Sequence, residues 1–303
     1  MQINGIICIN KPQGFTSFDV IAKMRGILRM KKLGHSGTLD PMATGVLPVF
    51  AGSATKAISL IPHTGKSYTA GFKLGVVTDT QDTTGTVISE SDVCVTMEQL
   101  LSATEKFRGD IMQVPPMYSA VSVGGKRLYE LARKGIEVER EARKITVSEF
   151  TILEYNEATC EGKLNITCSG GTYVRTLIHD LGQMLGCGGA MTSLVRTVSN
   201  GFSLDKCVTL DELEKLRDSD DVGSIVLPVE EIFRGLPSIQ LNETKTKLYK
   251  NGVKLQLDRL RGYDGQEQYK IYASDGVFLG LAKSDKENNQ LRILKNLYGD
   301  GEA

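Results

Sequence analysis

The segment GHSGTLDPMATG, at residues 34–45, constrains this chain more than any other. It is rich in Gly, Thr and Ser and has little apolar periodicity, so it is predicted to be a loop. A helix is predicted before it over about 17–30, where Val20, Ile21 and Met24 recur at helical spacing, and a strand is predicted after it at 46–50. Loops held between rigid elements in this way commonly carry binding or catalytic residues.

Asp40 is the single carboxylate of this loop, and Pro41 follows it. One interpretation is that Asp40 caps a turn, as aspartates before proline often do. The other is that a carboxylate presented on an anchored loop performs chemistry. Spacing alone does not separate the two interpretations.

The rest of the chain predicts an α/β (α+β) fold in two parts. Further strands are predicted at 5–10, 69–75, 145–154, 162–168 and 191–202, and further helices at 96–107, at 172–185 and after Thr209. A length of 303 residues suggests roughly two domains. RGLP (234–237) is the best linker candidate, because short strands separated by turns follow it and indicate a small β-rich module.

The net charge is zero, but the charges are unevenly distributed. Residues 22–32 carry five bases and no acid, whereas residues 205–231 carry nine acids against three bases. Residues 122–144 form a basic stretch punctuated by glycine, which predicts an exposed excursion containing a short helix. These clusters are either one basic face that binds a polyanion or ordinary solvated helix faces.

Several classes of protein are disfavoured. No apolar run approaches the ~18 residues that a membrane-spanning helix needs, and the N-terminus does not look like an export signal, so we expect a soluble, cytoplasmic protein. Metal and disulfide frameworks are not expected, because the cysteines lack any CxxC pair and the histidines lack ligand spacing. These residues are Cys8, Cys94, Cys160, Cys168, Cys187 and Cys207, and His35, His63 and His179.

Three nucleotide or hydrolase motifs are incomplete. TGKS (64–67) lacks the glycine of a phosphate-binding loop, because Leu60 stands there. Thr38 replaces the second glycine of a nucleophile elbow. The glycines at 182–189 never form GxGxxG. ATP, a serine hydrolase and NAD are therefore not indicated.

The loop strongly resembles the catalytic loop of the bacterial tRNA pseudouridine(55) synthase family, whose pattern runs G-H-x-G-x-L-D-P-x-A-T-G. Further motifs follow in the family's order. They are NKPQGFTS (10–17), KSYTA (66–70), a stretch similar to the RNA-binding insertion (108–143), CSGGTYVRTLIHDLG (168–182) and TSLVRT (192–197). Several motifs in one order are far more specific than any one of them. The likeness is dense over about residues 5–235 and weaker in the tail.

The resemblance implies a pseudouridine synthase fold with a mixed, largely antiparallel sheet, followed by a small PUA-like β-barrel. The implied domains are a catalytic domain at 1–235, with the insertion at about 108–143, and an RNA-binding domain at 236–303. Isomerising uridine oxidises nothing and adds no group, so no cofactor is expected.

The resemblance also implies roles for individual residues. Asp40 is the catalytic carboxylate, and Arg175 is the cation that keeps it ionised, with a surface helix arginine as the alternative. Tyr68 stacks on the uracil or passes a proton to it, and Leu194 packs beneath the ring; each could instead be a plain core residue. His35 fills the gap left by a flipped base. Lys11, placed among the substrate-binding residues, also braces the loop together with Pro12.

The implied partner is the T-arm of tRNA, bound by a monomer with no DNA or membrane involved. Phosphate contacts dominate such binding. The candidate basic residues are Arg25, Arg29, Lys31, Lys32, Lys126, Arg127, Arg133, Lys134, Arg140, Arg143 and Lys144.

The expected function is isomerisation of uridine 55 in the tRNA T-loop. An RNA-binding or RNA-folding protein without catalysis is one alternative, which an intact Asp40, Tyr68 and Arg175 disfavour. An RNA N-glycosidase would break the same bond and release the base. A guide-RNA-dependent relative is disfavoured by the insertion at 108–143, which is typical of the stand-alone bacterial type.

Overall fold

A mixed sheet of nine strands is the framework of the first two thirds of the chain. The computed structural model describes residues 3–62, 65–92 and 95–298. In chain order the strands of this part are β1 (Gly5–Lys11), β2 (Leu33–His35), β3 (Thr44–Ala51), β4 (Lys66–Leu74), β5 (Val76–Thr78), β6 (Val87–Glu90), β7 (Gly109–Gln113), β8 (Ser122–Val123), β9 (Lys126–Arg127), β10 (Arg143–Asn156), β11 (Glu161–Cys168), β12 (Gly189–Ser199) and β13 (Phe202–Ser203).

The order of the sheet is β1-β3-β12-β4-β11-β10-β7, with β2 paired to β3 and β13 to β12. β3 and β12 are parallel, whereas the other pairs are antiparallel. The expected mixed, largely antiparallel sheet is confirmed. Two small hairpins, β5–β6 and β8–β9, stand apart from it.

Five helices accompany this sheet. They are α1 (Ser17–Leu28), α2 (Met97–Glu105), α3 (Leu128–Ala132), α4 (Val174–Met184) and α5 (Leu210–Asp218). The capping boxes predicted at Thr96 and Thr209 are both formed. Short 3-10 segments occupy Gly52–Leu60, Leu204–Lys206, Val222–Ile225 and Val229–Phe233. None of these 3-10 segments was predicted, because they lack the length at which helical periodicity can be recognised.

Two hydrophobic clusters hold the helices on the sheet. Helices α1 and α5 pack with β1 and β3 around residues such as Met24 and Leu213. Helices α2 and α4 pack with β4, β10, β11 and β12 around residues such as Phe150 and Leu177. The segment between β2 and β3, which carries Asp40, lies where these two clusters meet, because Leu33 belongs to the first and Leu39 to the second.

The stretch expected to form the insertion, at about 108–143, begins with a strand of the main sheet. Gly109–Gln113 form β7, which pairs with β10 at the edge of that sheet. The excursion outside the sheet therefore covers 114–142, which includes most of the basic stretch predicted to be exposed at 122–144. The strand was missed because its five residues alternate too briefly to stand out beside the charged stretch. Within the excursion, the predicted short helix is α3.

The C-terminal part forms a separate sheet. It contains β14 (Ser238–Gln240), α6 (Glu243–Lys250), β15 (Leu255–Gln256), a 3-10 segment (Leu257–Arg259), β16 (Gln268–Tyr272), β17 (Phe278–Asp285) and β18 (Gln290–Asn296). The strand order is β14-β16-β17-β18-β15, consistent with a PUA-like half-barrel. The sequence predicted short strands here but missed α6, although Asn242 caps it.

The two sheets share no strand, but they are joined by a hydrophobic cluster. Phe278, Leu281 and Leu297 of the C-terminal part pack with residues such as Phe50 and Phe233. The Ser53 hydroxyl also donates to Leu297 O at 2.9 Å. The C-terminal part is therefore docked on the first sheet rather than tethered by a free linker.

The structure also bears on the membrane-spanning helices and the cysteines considered above. No helix in the described ranges is long and apolar enough to cross a membrane. Of the cysteines, Cys8, Cys160 and Cys168 are buried and Cys187 and Cys207 are half-buried, while Cys94 and His63 lie outside the described residues.

Candidate active site

The loop that carries Asp40 is anchored on both sides of that residue. Leu39 and Ala43 are 3% and 0% exposed. The Leu39 amide donates to Ser17 Oγ at 2.9 Å, and the Ala43 amide donates to Asp40 O at 3.0 Å. Asp40 therefore stands at a tight turn with buried neighbours, and its side chain remains 38% exposed.

The start of β3 can lie against β12 because residue 45 is glycine. Gly45 has a φ of +100°, and a methyl group there would come within 2.3 Å of Arg196 O. Side chains rarely adopt this φ, and no other residue fits so close to a backbone. The contact holds the Asp40 loop directly over β12.

Arg175 binds the Asp40 carboxylate through two nitrogens. Arg175 Nε lies 2.9 Å from Asp40 Oδ2, and Nη2 donates to Asp40 Oδ1 at 3.3 Å. Arg175 lies in the first turn of α4 and is 5% exposed, so the surface-arginine interpretation is wrong. This geometry is the two-pronged pairing that guanidinium groups favour with carboxylates.

Arg175 is itself held by neighbouring loops. It donates to Thr80 O at 2.8 Å and to Tyr118 O at 2.9 Å, and its Nη1 lies 3.7 Å from Asp82 Oδ2. Asp82 is 4% exposed, and its Oδ1 accepts from the Thr84 amide and hydroxyl. Asp82 was not predicted from the sequence, where the available signal was a polar, Asp- and Thr-rich stretch at 78–84.

A cavity of about 240 Å³ opens beside the Asp40–Arg175 pair. Tyr68 of β4 and Leu194 of β12 line it, and each is 6% exposed. Burial raises the pKa of Tyr68, so its phenol keeps its proton at neutral pH. The cavity thus combines a carboxylate, a neutral phenol and an apolar surface, which together suit an enclosed aromatic ring.

A wider groove of about 940 Å³ adjoins the cavity and is also bordered by Asp40. His35 lines it, together with Phe18, Tyr129, Arg127 and Arg133. Burial lowers the pKa of His35, so the ring is neutral at neutral pH and can lie against a base. Its Nδ1 is buried without a hydrogen-bond partner among the described residues.

Lys11 is fully enclosed beneath the loop. Its ammonium donates to the carbonyls of Pro12 at 2.9 Å, Phe15 at 2.5 Å and Pro41 at 3.3 Å. Burial lowers the pKa of Lys11 to about 8, although Asp40 opposes the shift. With 0% exposure, Lys11 has no surface with which to touch RNA. Its placement among the substrate-binding residues is therefore corrected to a bracing contact on Pro41.

The predicted basic residues fall into separate groups. Arg127 and Arg133 border the groove, with the Arg133 guanidinium 5.5 Å from the Tyr129 ring centre. Lys126 and Lys134 of the excursion, and Arg143 at the start of β10, are also exposed and have no ion pair in the described chain.

Other basic residues have partners or lie further away. Lys144 pairs with Asp110 and Arg140 with Glu137, and Arg25 lies over the Phe18 ring. The exposed Arg29, Lys31 and Lys32 follow the far end of α1, about 16 Å along the helix from the groove.

The sequence matches two family models. One, described as TruB family pseudouridylate synthase (N terminal domain), covers residues 25–174. The other, described as tRNA pseudouridylate synthase B C-terminal domain, covers residues 175–234. They meet at the start of α4, within the part of the chain that forms the first sheet.

Curated relatives match almost the whole chain. A Clostridium tetani protein named tRNA pseudouridine synthase B is 41% identical over 300 residues, covering 97% of this chain and 100% of that protein. A Bacillus pumilus protein of the same name is 37% identical over 309 residues and covers 100% of both.

The fold matches that of a solved structure. A chain from the Cbf5-Nop10-Gar1 complex superposes with a TM-score of 0.75 at 25% identity, covering 98% of this chain and 86% of that one.

Proposed function

The chain belongs to the TruB family of pseudouridylate synthases, and we propose that it acts on uridine 55 in the T-loop of tRNA. It is a tRNA pseudouridine synthase. This enzyme is an isomerase, so it adds no atoms to its substrate. Relatives at about 40% identity over nearly the full chain support the substrate class.

One observation carries the assignment of chemistry to this site. Asp40 is paired with a buried arginine at 2.9 Å, at the edge of a cavity lined by Tyr68 and Leu194. A nearby cation favours the ionised form of a carboxylate. The pair thus supplies a negative charge beside an enclosed space for one base.

The reaction breaks the bond between uracil N1 and ribose C1′, turns the base and joins its C5 to C1′. Asp40 acts next to the ribose, where an ionised carboxylate can attack carbon, stabilise positive charge at C1′ or take a sugar proton. All three roles require the charge that Arg175 stabilises. Arg175 holds that carboxylate in orientation with two contacts.

The uridine must leave its stack before it reaches Asp40. Tyr68 and Leu194 then enclose the uracil ring. We assign His35 the space that the uridine vacates, because a neutral imidazole in the adjoining groove can stack on the bases left behind.

We propose that phosphate contacts come from the excursion at 114–142 and from the basic end of α1. Residues 1–235 form the catalytic domain in this proposal, and residues 236–303 form a PUA-like RNA-binding domain. We propose that the protein acts as a monomer, and tRNA as substrate supports a cytoplasmic location.

The test is incubation of the protein with an isolated T-arm stem-loop, with EDTA present and without nucleotide cofactors or guide RNA. We expect one uridine to become pseudouridine while the RNA mass stays unchanged. The matched variant Asp40→Asn keeps the shape and removes the charge, so its rate should fall by ~4 decades, roughly 5–6 kcal/mol. Free uracil would indicate a glycosidase, and unchanged RNA would indicate a binding protein.

A further inference from the structure

Two cations, Lys66 and Arg196, lie at the cavity that is proposed to hold the uracil. Lys66 begins β4, and Arg196 lies opposite Tyr68 on β12. Neither forms an ion pair with a carboxylate in the part of the chain that the structure describes. Asp40 and Asp82 are instead both engaged by Arg175.

The two cationic groups are close together. A methyl group at Gly37 would approach Lys66 Nζ to 2.9 Å and Arg196 Nη1 to 3.3 Å. The two nitrogens therefore lie within about 6 Å of each other, a separation at which like charges repel strongly in a desolvated site. Burial lowers the pKa of Lys66, and Arg196 lowers it further.

Arg196 is fixed by the backbone around the Asp40 loop. It is 0% exposed, and it donates to Val46 O at 2.8 Å and to Gly37 O at 2.9 Å. Its Nη1 is buried with no hydrogen-bond partner among the described residues. The guanidinium of Arg196 is thus a positive charge fixed in position beneath the cavity, although Arg196 does not line the cavity itself.

Lys66 does line the cavity. It lies two residues before Tyr68 on the same strand, so both side chains project from one face of β4. A base packed against Tyr68 therefore has the Lys66 ammonium near its edge. Lys66 is the first residue of the KSYTA segment, but no role was predicted for it from the sequence.

The chemistry of the proposed reaction supplies the missing negative charge. When the N1–C1′ bond breaks, its electron pair leaves with the uracil, which becomes an anion with charge spread over N1, O2 and O4. When C5 bonds to C1′, C5 loses a proton to a base and N1 takes one up, so the formula is unchanged. The anion exists only while the base is detached.

We propose that Lys66 is a further catalytic residue, whose ammonium stabilises the detached uracil anion, and that Arg196 is the positioning residue which fixes the positive field there. This inference rests on the proposed function. Charge that is placed in advance where an anion develops accelerates a reaction without tightening ground-state binding.

The test compares Lys66→Met and Lys66→Arg with wild type on the T-arm stem-loop. Under single-turnover, saturating conditions, Lys66→Met should lose ~10²- to 10³-fold in rate, as when one donor to a developing anion is removed. RNA affinity, measured in an Asp40→Asn background to prevent turnover, should change less than about threefold, because one lost phosphate contact would change it more. Lys73→Met, in the same strand but paired with Glu161 on the surface, is the control for loss of a positive charge.

The pH dependence of the reaction rate distinguishes a chemical role of Lys66 from a role in packing. The titratable and charged groups near Lys66 are Arg196 and Cys168, together with Asp40, Tyr68, Tyr118, Tyr173 and Arg175, which line the same cavity. Because the pKa of Lys66 is lowered, its ammonium should lose its proton at a lower pH than that of an ordinary lysine. The wild-type rate should therefore fall as the pH rises through that lower range. In Lys66→Arg the fall should move to higher pH, with a rate within about tenfold of wild type at neutral pH, and in Lys66→Met this pH dependence should disappear.

Thermal unfolding verifies that the variants fold. A Lys66→Met rate within threefold of wild type, a loss confined to RNA affinity, or an unchanged pH profile would overturn the inference about Lys66. Absence of pseudouridine with the wild-type protein would instead contradict the proposed function, so the two failures are distinguishable.

Discussion

Arg175 connects the Asp40 loop to two other loops at the level of single atoms. Its side chain binds Asp40 on one side, and Thr80 O, Tyr118 O and Asp82 on the other. A buried arginine with fewer acceptors would leave donors unsatisfied, which is unfavourable. The carboxylate at Asp40 is thus oriented by a network that reaches Thr80, Asp82 and Tyr118, which line the adjoining groove.

Asp82→Asn should weaken this network without removing the catalytic carboxylate. The amide keeps the shape but removes the negative charge 3.7 Å from Arg175, so Arg175 is held less firmly. We expect the rate at saturating RNA to fall about 10- to 100-fold, and the RNA affinity to stay unchanged. A loss of this size is typical when a group that orients a metal ligand is removed, and Asp82 orients Arg175 in a comparable way. The control is Asp110→Asn, an exposed carboxylate that pairs with Lys144 at 2.8 Å instead of with Arg175. Equal rates for the two variants would contradict the role of Asp82.

The sequence predicted Asp40, Tyr68 and Arg175 because their motifs recur in a fixed order along the family pattern. It could not predict Asp82 or Lys66 in the same way. Both depend on burial beside residues that lie about 90 or more positions away, such as Arg175 and Arg196, and burial of a charge is a property of the packed molecule. Lys11 illustrates the same limit, since only its enclosure identifies it as a brace.

Among the elements, the closest contact at the site is between β3 and β12. Gly45→Ala would place a methyl group 2.3 Å from Arg196 O at a φ of +100°, so the strands must separate. We expect a loss of roughly 3 kcal/mol or more in the free energy of unfolding, measured with denaturant.

Gly201→Ala is the matched control for this effect. Gly201 has a φ of +80°, but nothing lies within 4 Å of the added methyl group. Its loss should be limited to backbone strain, about 1 kcal/mol. Equal losses in the two variants would show that the approach of β3 to β12 is not the constraint.

The excursion at 114–142 should contribute phosphate contacts through α3 and the hairpin before it. Replacing Arg127 and Arg133 by alanine should weaken T-arm binding at all salt concentrations and reduce the slope of log affinity against log salt by roughly 1–2. Lys144→Ala is the control, because Lys144 already pairs with Asp110 at 2.8 Å. A larger effect from Lys144 would contradict this assignment of the RNA surface.

Among the helices and strands, those with strong periodicity or a capping signal were predicted from the sequence. The helix α1 and the strands β1 and β3 were predicted to within about two residues, whereas β2, which includes Gly34 and His35 of the predicted loop, was not predicted. The strand β7 and the 3-10 segment Gly52–Leu60 were missed, because tertiary pairing rather than local pattern defines them.

In the whole molecule, the C-terminal sheet is docked through an apolar cluster yet contributes no residue to the cavity. Removing residues 237–303 exposes partners such as Phe50 and Phe233, so the thermal midpoint should fall. Binding to full tRNA should weaken by tenfold or more, while the rate at saturating T-arm RNA stays within about tenfold. A truncated protein that folds but is inactive under saturation would contradict the proposed division at residue 235.

If this chain converts uridine 55 of tRNA, the conversion in cells should depend on Asp40. The most direct measurement is a position-resolved map of pseudouridine in tRNA from cells that lack the protein and carry either the wild-type gene or Asp40→Asn. We predict that pseudouridine at position 55 is absent without the protein, returns with the wild-type gene, and stays absent with Asp40→Asn expressed at the same level. Pseudouridine 55 present in all three strains, or restored by Asp40→Asn, would contradict the account.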